Sequence, residues 1–457
     1  MFSRKWWIAS GCVALFFFGG LGCYLYLSES SPARTQSSKK DSDRIFEKSI
    51  ITSKTDKVED EPSALFNDPA INQAWGLKKS DAARAWSVTK GSKEILVAII
   101  DTGADVNHED LHNNIWVNPG ETGKDSRGRD KATNGVDDDG NGFVDDVHGW
   151  NFVSNNNKLD DNHGHGTHIA GIIGAEAGNG KGISGISPEV SMMILKYYDP
   201  KVPSADNLKN TVAAIKYAVK MGAHIINYSG GGTEFSQEEH DAVAEAEKKG
   251  ILFVAAAGNE RSNSDQHHYY PADYKLRNII SVTAFDPSIQ VLSSSNYGVD
   301  TVDIAAPGQN ILSCLPGNSY GYMTGTSQAT AFVTGAAALV MAHKQSFKAE
   351  DVKKYILSTG DAQTQLASKT RTSRQLNLYK ALTILDQGVA ASGVSAVNSQ
   401  NIERFTADPN DKKSRSKDDG MEAATEISHF GRSLIDAIGG KPKPSKLGSK
   451  QNNDDSL

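Results

Sequence analysis

The chain has 457 residues, 38% of them hydrophobic, and 48 lysines and arginines against 55 aspartates and glutamates leave a net charge of −7. The length admits one large α/β unit or two to three smaller domains. The charge balance excludes the basic stripe that a phosphate backbone demands, so no nucleic-acid partner is expected.

Arg4-Lys5 precede an apolar stretch from Trp6 to Leu27, about 22 residues, enough at about 1.5 Å per residue to cross a ~30 Å hydrocarbon core. A cleaved secretory leader has a shorter apolar core of about 7–15 residues and small residues at the cut. Residues 1–27 therefore read as an uncleaved signal anchor with Arg4 and Lys5 inside; a signal peptide is the alternative, and lipid attachment around Gly20-Leu21-Gly22-Cys23 a weaker third. Each reading exports the remainder of the chain, either membrane-anchored through this segment or secreted. Residues 28–62 form a polar linker, 63–387 a globular domain, and 388–457 a polar tail whose composition predicts disorder. Of the three cysteines, Cys12 and Cys23 lie in the apolar run, which leaves Cys314 alone and excludes a disulfide within the globular part.

Within that domain a short amphipathic helix ends near Trp86. Strand Glu94 to Ile100, a helix from about His168 to Ala177, strand Val190 to Leu195, helix Leu208 to Met221, strand Ala223 to Tyr228, helix Glu238 to Lys249 and strand Ile251 to Ala256 then alternate. Alternation of this kind predicts an α/β fold with a mainly parallel sheet. The runs Ile95 to Ile100 and Ile251 to Ala256 are continuously apolar, as expected where helices cover both sheet faces. Short strands Ile279 to Ala284 and Val302 to Ala305 come next, then a long apolar helix from Ser327 to about His343 and two further helices closing near Asp386.

Three segments carry chemistry: Asp101-Thr102-Gly103, His165-Gly166-Thr167-His168 and Gly325-Thr326-Ser327. A serine hydroxyl is a weak nucleophile that needs a base, and the base needs a group to hold its tautomer. Asp101 comes directly after a buried strand, which puts its carboxylate at the carboxyl edge of the sheet, where ligands bind in open α/β folds. His165 and Ser327 stand at helix starts, and the Ser327 N–H at such a start can face a developing oxyanion. The chain order Asp, His, Ser differs from the Ser, Asp, His order of α/β-hydrolases.

The residues around each segment resemble one family. Val97 to Gly103 is similar to the aspartate motif of subtilisin-like serine proteases, Gly164 to Gly171 to their histidine motif, and Gly325 to Thr330 to their serine motif. The resemblance covers residues 64 to about 386. It implies a three-layer sandwich, an endopeptidase acting on extended polypeptide, and a monomer. Ala255-Ala256-Ala257-Gly258-Asn259 resembles the family's oxyanion segment, which implies Asn259 as a donor to the oxyanion and Ala256 and Gly258 beside the substrate. Asn227-Tyr228-Ser229-Gly230-Gly231 matches a strand-to-loop segment whose Ser229, Gly230 and Gly231 would pair with a peptide. Two places depart from the family pattern: Gly230 where many members carry Leu, and Gln328-Ala329-Thr330-Ala331-Phe332 where Met-Ala-x-Pro-His usually comes after the nucleophile. The competing reading is a peptide-binding relative whose activity has lapsed; a metallohydrolase is a third.

Calcium is the expected cofactor. Asp137, Asp139 and Asn141, with Gly142 at a sharp turn, match the first half of an EF-hand loop, although His148 stands at its twelfth position. The family resemblance implies a second site from Asp110 and Asn179, with Lys181 and Ile183 contributing carbonyls. Two other patterns carry no such weight. Gly180-x-Gly182-x-x-Gly185 comes after a helix instead of a strand, and His163, His165 and His168 lack the glutamate of a zinc motif.

Overall fold

The computed structural model describes residues 66–384. The expectations for residues 1–27, 28–62 and 388–457 lie outside the described residues, and among the described residues no helix is long and apolar enough to cross a membrane.

The chain enters through two short helices, α1 (Trp75–Lys79) and α2 (Ala82–Val88), where the pattern predicts one. It continues through β1 (Gly91–Asp101), β2 (Gly149–Asn151), α3 (His165–Gly174), β3 (Glu189–Lys196), α4 (Asn207–Lys220), β4 (Ile225–Tyr228), α5 (Gln237–Lys248) and β5 (Leu252–Ala256). Next come β6 (Ile279–Phe285), β7 (Ile304–Pro307), β8 (Ile311–Leu315), β9 (Ser319–Met323), α6 (Thr326–His343), α7 (Ala349–Thr359), β10 (Asp361–Ala362), β11 (Arg374–Gln375) and α8 (Leu378–Thr383). Nine strands form one sheet in the order β10-β11-β7-β6-β5-β4-β1-β3-β2, while β8 and β9 form a hairpin. Only β10 with β11 is antiparallel in the large sheet; the other pairings, such as β1 with β3 and β4, are parallel.

The apolar runs are a consequence of burial on both faces. In β1, Ile95, Val97 and Ile99 enter one core, and Leu96, Ala98 and Ile100 enter another on the opposite face. The same split sends Leu252 and Val254 of β5 one way and Phe253 and Ala255 the other, because successive side chains in a strand point to opposite faces. Helices α3 and α6 cover the first face, α4 and α5 the second. The expected three-layer sandwich is therefore observed. Helix α6 is apolar all round because all but its last two residues are buried.

Strand β1 has β3 on one side and β4 on the other. A crossover that changes direction at a central strand opens a crevice at the carboxyl ends of the strands, the usual ligand position in such sheets.

Candidate active site

The strand registers set three sequence-distant residues side by side. Ile100 pairs with Tyr228, and Tyr228 with Ala255, so Asp101, Ser229 and Ala256 stand in one row where β1, β4 and β5 end. Neighbouring strands lie about 4.8 Å apart, which brings all three within reach of one substrate.

His165, the first residue of α3, is fixed against Asp101: its Nδ1 lies 2.7 Å from Asp101 Oδ1, which also accepts the Thr102 N–H at 2.8 Å. A carboxylate accepts only, so Nδ1 carries the proton and Nε2 keeps its lone pair. Burial disfavours the charged imidazolium, but the charge and hydrogen bond of Asp101, with the Asp161 charge, outweigh it and raise the His165 pKa above the ordinary 6.5. Helix α3 approaches this closely because residue 166 is glycine; a Cβ there would fall 2.0 Å from the Gly103 carbonyl oxygen.

Asp161, which carries no motif of its own, holds the start of α3. Its carboxylate accepts from the N–H groups of His163 (3.0 Å), Gly164 (2.7 Å) and Thr167 (2.8 Å) and from the Thr102 hydroxyl at 2.8 Å. Those amides would otherwise be orphaned at the helix N-terminus. An aspartate four residues before the histidine is the signal that sequence reasoning could have used.

Ser327, the second residue of α6, is buried. Its hydroxyl donates to the Ser229 carbonyl at 3.0 Å, and the Ser229 hydroxyl donates to the Ser327 carbonyl at 3.3 Å. Among the described residues no hydrogen bond joins Ser327 to His165, so the hydroxyl rests on the end of β4. Such bonds often form only once substrate is bound. Asn227 donates to the Ser229 hydroxyl at 3.1 Å and accepts from Thr334 of α6 at 2.8 Å. This fully buried side chain is committed inside the core, so the Asn227-Tyr228-Ser229 glycosylation sequon is not an acceptor.

The Asn259 amide has a defined orientation. Its Oδ1 accepts from the Thr326 N–H at 3.0 Å and the Thr326 hydroxyl at 3.2 Å. A backbone N–H only donates, so Oδ1 must face it and the NH₂ group is turned away, free to donate.

The departures at residues 230 and 332 find their reasons here. A Cβ on Gly230 would lie 2.4 Å from the Tyr197 hydroxyl and 3.0 Å from the Tyr228 ring, so Tyr197 fills the space that a larger residue 230 would take. Phe332 packs against α1, where a Cβ on Gly76 would lie 2.5 Å from its ring. Gln328 is buried beside Gly325.

The subtilase family profile matches residues 92–378, which spans every element of this arrangement. The chain belongs to the subtilase family. It is 32% identical over 364 residues to a thermophilic serine proteinase of Bacillus sp. (strain AK1), covering 75% of this chain and 80% of the relative. Against thermitase of Thermoactinomyces vulgaris it is 33% identical over 318 residues, 69% of this chain and 98% of the relative. It is 35% identical over 295 residues to subtilisin-like protease 1 of Plasmodium vivax, covering 60% of this chain and less than half, 45%, of that longer protein.

Of this subtilase's two acidic loops, the first gathers a carboxylate from outside the expected set and the second brings its expected residues together. Asp137 and Asp139 do come together, but their partner is Glu121; ligand atoms of the three lie within 4.8 Å of one another. Asn141 stays against them as a donor: its amide donates to Asp139 (3.1 Å) and Asp146 (2.8 Å), while its Oδ1 accepts the Phe143 N–H. Glu121 is fully buried, one carboxylate oxygen accepts the Asp138 N–H at 2.8 Å, and the other has no hydrogen-bond partner among the described residues. Burial raises its pKa, opposed by the Asp138 hydrogen bond and reinforced by the charges of Asp146 and Asp139.

In the second loop of the subtilase, Asp110 accepts from Asn179 Nδ2 at 2.7 Å and from the Ile183 N–H at 2.9 Å, and Asn179 Oδ1 accepts the Lys181 N–H at 2.8 Å. Asp68, which no motif marks, holds the same turn through Gly178, Asn179 and Ser184. Burial pushes Asp110 up to about 6, moderated by those hydrogen bonds and aided by the Asp68 charge. His168 is no metal ligand or base. Its Nε2 is bound to the carbonyls of Ile311 (2.9 Å) and Gly321 (3.2 Å), and burial, with the nearby His165, holds it down at about 4.

Proposed function

We propose that this subtilase, a serine endopeptidase, cuts peptide bonds with Ser327 as nucleophile, His165 as base and then acid, Asp101 as orienter, and the Asn259 amide with the Ser327 N–H as oxyanion donors. The observation that carries this is the 2.7 Å bond between His165 and Asp101 at the carboxyl edge of the sheet, one strand away from the carbonyl that holds the Ser327 hydroxyl.

In the first half-reaction the Ser327 hydroxyl turns from the Ser229 carbonyl to His165, and its proton passes to Nε2 as Oγ bonds to the substrate carbonyl carbon. The oxyanion is met by donors already oriented, which cost no reorganisation at that moment. Collapse breaks the C–N bond, the proton on Nε2 goes to the departing amine, and the acyl group stays on Ser327. Water then repeats the sequence, giving a proton to Nε2, and the serine recovers it as the acid leaves. The peptide is held extended along Ser229, Gly230 and Gly231, with Ala256 and Gly258 on the far side, where small residues let the backbones approach.

A fluorophosphonate probe tests this assignment. Labelling is expected on the peptide containing Ser327 and is expected to vanish in Ser327→Ala; equal labelling of both proteins overturns it. The lapsed peptide-binding alternative predicts no labelling in either, and the names of the relatives, proteases all, do not favour it.

Calcium fits the Glu121 loop on one structural ground: a buried carboxylate oxygen without a hydrogen-bond partner among the described residues, beside two further carboxylates. Calcium takes 6–8 oxygens at about 2.3–2.6 Å, and Glu121, Asp137 and Asp139 would hold it there. Asp110 and the turn through Asn179, Lys181 and Ile183 would hold a second ion. Metal bound to the folded state alone stabilises by about 2.7 kcal/mol at a hundredfold excess over Kd. Chelation is therefore expected to lower the melting temperature by several degrees, with recovery on adding calcium but not magnesium. An unchanged melting curve removes the calcium reading.

The placement of the catalytic domain beyond a membrane, anchored or released, is likewise our proposal and rests on the apolar run of residues 6–27.

A further inference from the structure

We propose that Tyr269 closes the space that receives the substrate side chain just before the scissile bond, and so restricts this enzyme to small residues at that position. The inference rests on the reading of Ser327 as nucleophile and of residues 229–231 as the peptide-pairing edge.

Two segments flank the nucleophile. Residues 229–231 leave β4 beside the Ser327 hydroxyl, and residues 256–259 leave β5 and end on the Asn259 amide that lies against Thr326. A peptide extended along the first segment, its carbonyl carbon at Ser327 and its oxygen turned toward Asn259, directs the preceding side chain into the gap between the two. Glycines at 231 and 258 would leave that gap open, and a large side chain would fit.

The gap is filled. A Cβ on Gly231 would fall 2.5 Å from Tyr269 Cε1, and one on Gly258 would fall 3.0 Å from Tyr269 Cδ2. Those two atoms are opposite corners of one ring, so the ring spans the gap from one segment to the other. The ring is one of the groups that crowd these two glycines, beside the Tyr270 carbonyl at Gly231 and the Asn296 and Glu260 side chains at Gly258.

The ring's backbone is tied to the same edge. Gly232 N–H donates to the Tyr270 carbonyl at 2.9 Å, Tyr270 N–H donates to the Gly232 carbonyl at 2.7 Å, and Tyr269 N–H donates to Asp273 at 2.8 Å. These bonds fix the backbone from which the ring projects, so the wall has its footing on the same edge as residues 231–232.

Peptide p-nitroanilides differing only in the residue before the cleaved bond (Ala, Leu, Phe) test the proposal through ratios of kcat/KM. The wild type is expected to favour Ala over Phe by more than about tenfold, within the ~10–200-fold that pocket fit can supply. Tyr269→Gly is expected to reverse the order by raising turnover of Leu and Phe, whereas Tyr269→Phe keeps the ring and the wild-type order. A wild type that prefers Phe, or a Tyr269→Gly variant with an unchanged ratio and intact fluorophosphonate labelling, overturns the proposal and leaves the Ser327 assignment standing. Absence of Ser327 labelling in the wild type overturns that assignment and this inference with it. Should Tyr269→Gly fail to fold, the wild-type ratio and a Tyr269→Leu variant decide the matter by the same criteria.

Discussion

Replacing Ser327 with alanine is expected to lower kcat by about 10⁶-fold while leaving KM for a good peptide substrate within a few-fold. Residues that act as one unit lose nearly everything when the nucleophile goes. The residual rate over water then comes from the oxyanion donors and from binding. The substitution removes one hydroxyl whose partner is the Ser229 carbonyl at the end of β4. Stability should change little, since the α6 backbone and the Asn259 contact to Thr326 remain. Steady-state assays on a chromogenic peptide, with melting curves in parallel, check both halves. A loss of only ten- to a hundredfold would mean that another group supplies the nucleophile.

Asp101→Asn is expected to cost about 10⁴-fold in kcat, because an amide can donate to Nδ1 and so stabilise the wrong tautomer of His165. Its pH signature is independent of that loss. The base must be neutral, so activity falls as pH drops through the His165 pKa, which in the native enzyme lies above 6.5. Burial alone pulls that pKa down; the Asp101 charge and hydrogen bond, with the charge of Asp161, pull it up past the ordinary value. With the Asp101 charge gone, the acidic limb of the kcat/KM profile should move to lower pH even as the plateau collapses. A limb that stays in place would show that some other carboxylate sets the imidazole, and would remove Asp101 from the mechanism.

The sheet was legible because its physics is local. Runs such as Ile95 to Ile100 and Ile251 to Ala256 have no polar face, and only a strand covered on both sides needs none. Boundaries were less legible where tertiary partners set them. Helix α3 begins at His165, before the expected His168, because the Asp161 carboxylate accepts the Thr167 N–H of its first turn and the His163 and Gly164 N–H groups just ahead of it. Strand β1 reaches back to Gly91 through polar residues, with Gly91 in register with Glu189. The short strands β2, β10 and β11 carry too few residues for a periodicity to show.

The candidate site divides in the same way. Asp101, His165 and Ser327 announce themselves through contiguous motifs. The groups that orient and shape them do not, because they arrive from elsewhere in the chain. Glu121 joins Asp137 and Asp139 from outside the loop whose spacing suggests a ligand set, and that is why the spacing points to Asn141 in its place. That Tyr197 crowds Gly230, and Tyr269 lies against both Gly231 and Gly258, is seen only once space is visible.

The row of Asp101, Ser229 and Ala256 lies at the ends of three neighbouring interior strands of the sheet. Central strands open only with the whole domain, whereas loops and ends open locally at little cost. On the proposed mechanism, turnover is therefore expected to depend on assembly of the whole domain, and heating should extinguish turnover and structure together instead of one after the other.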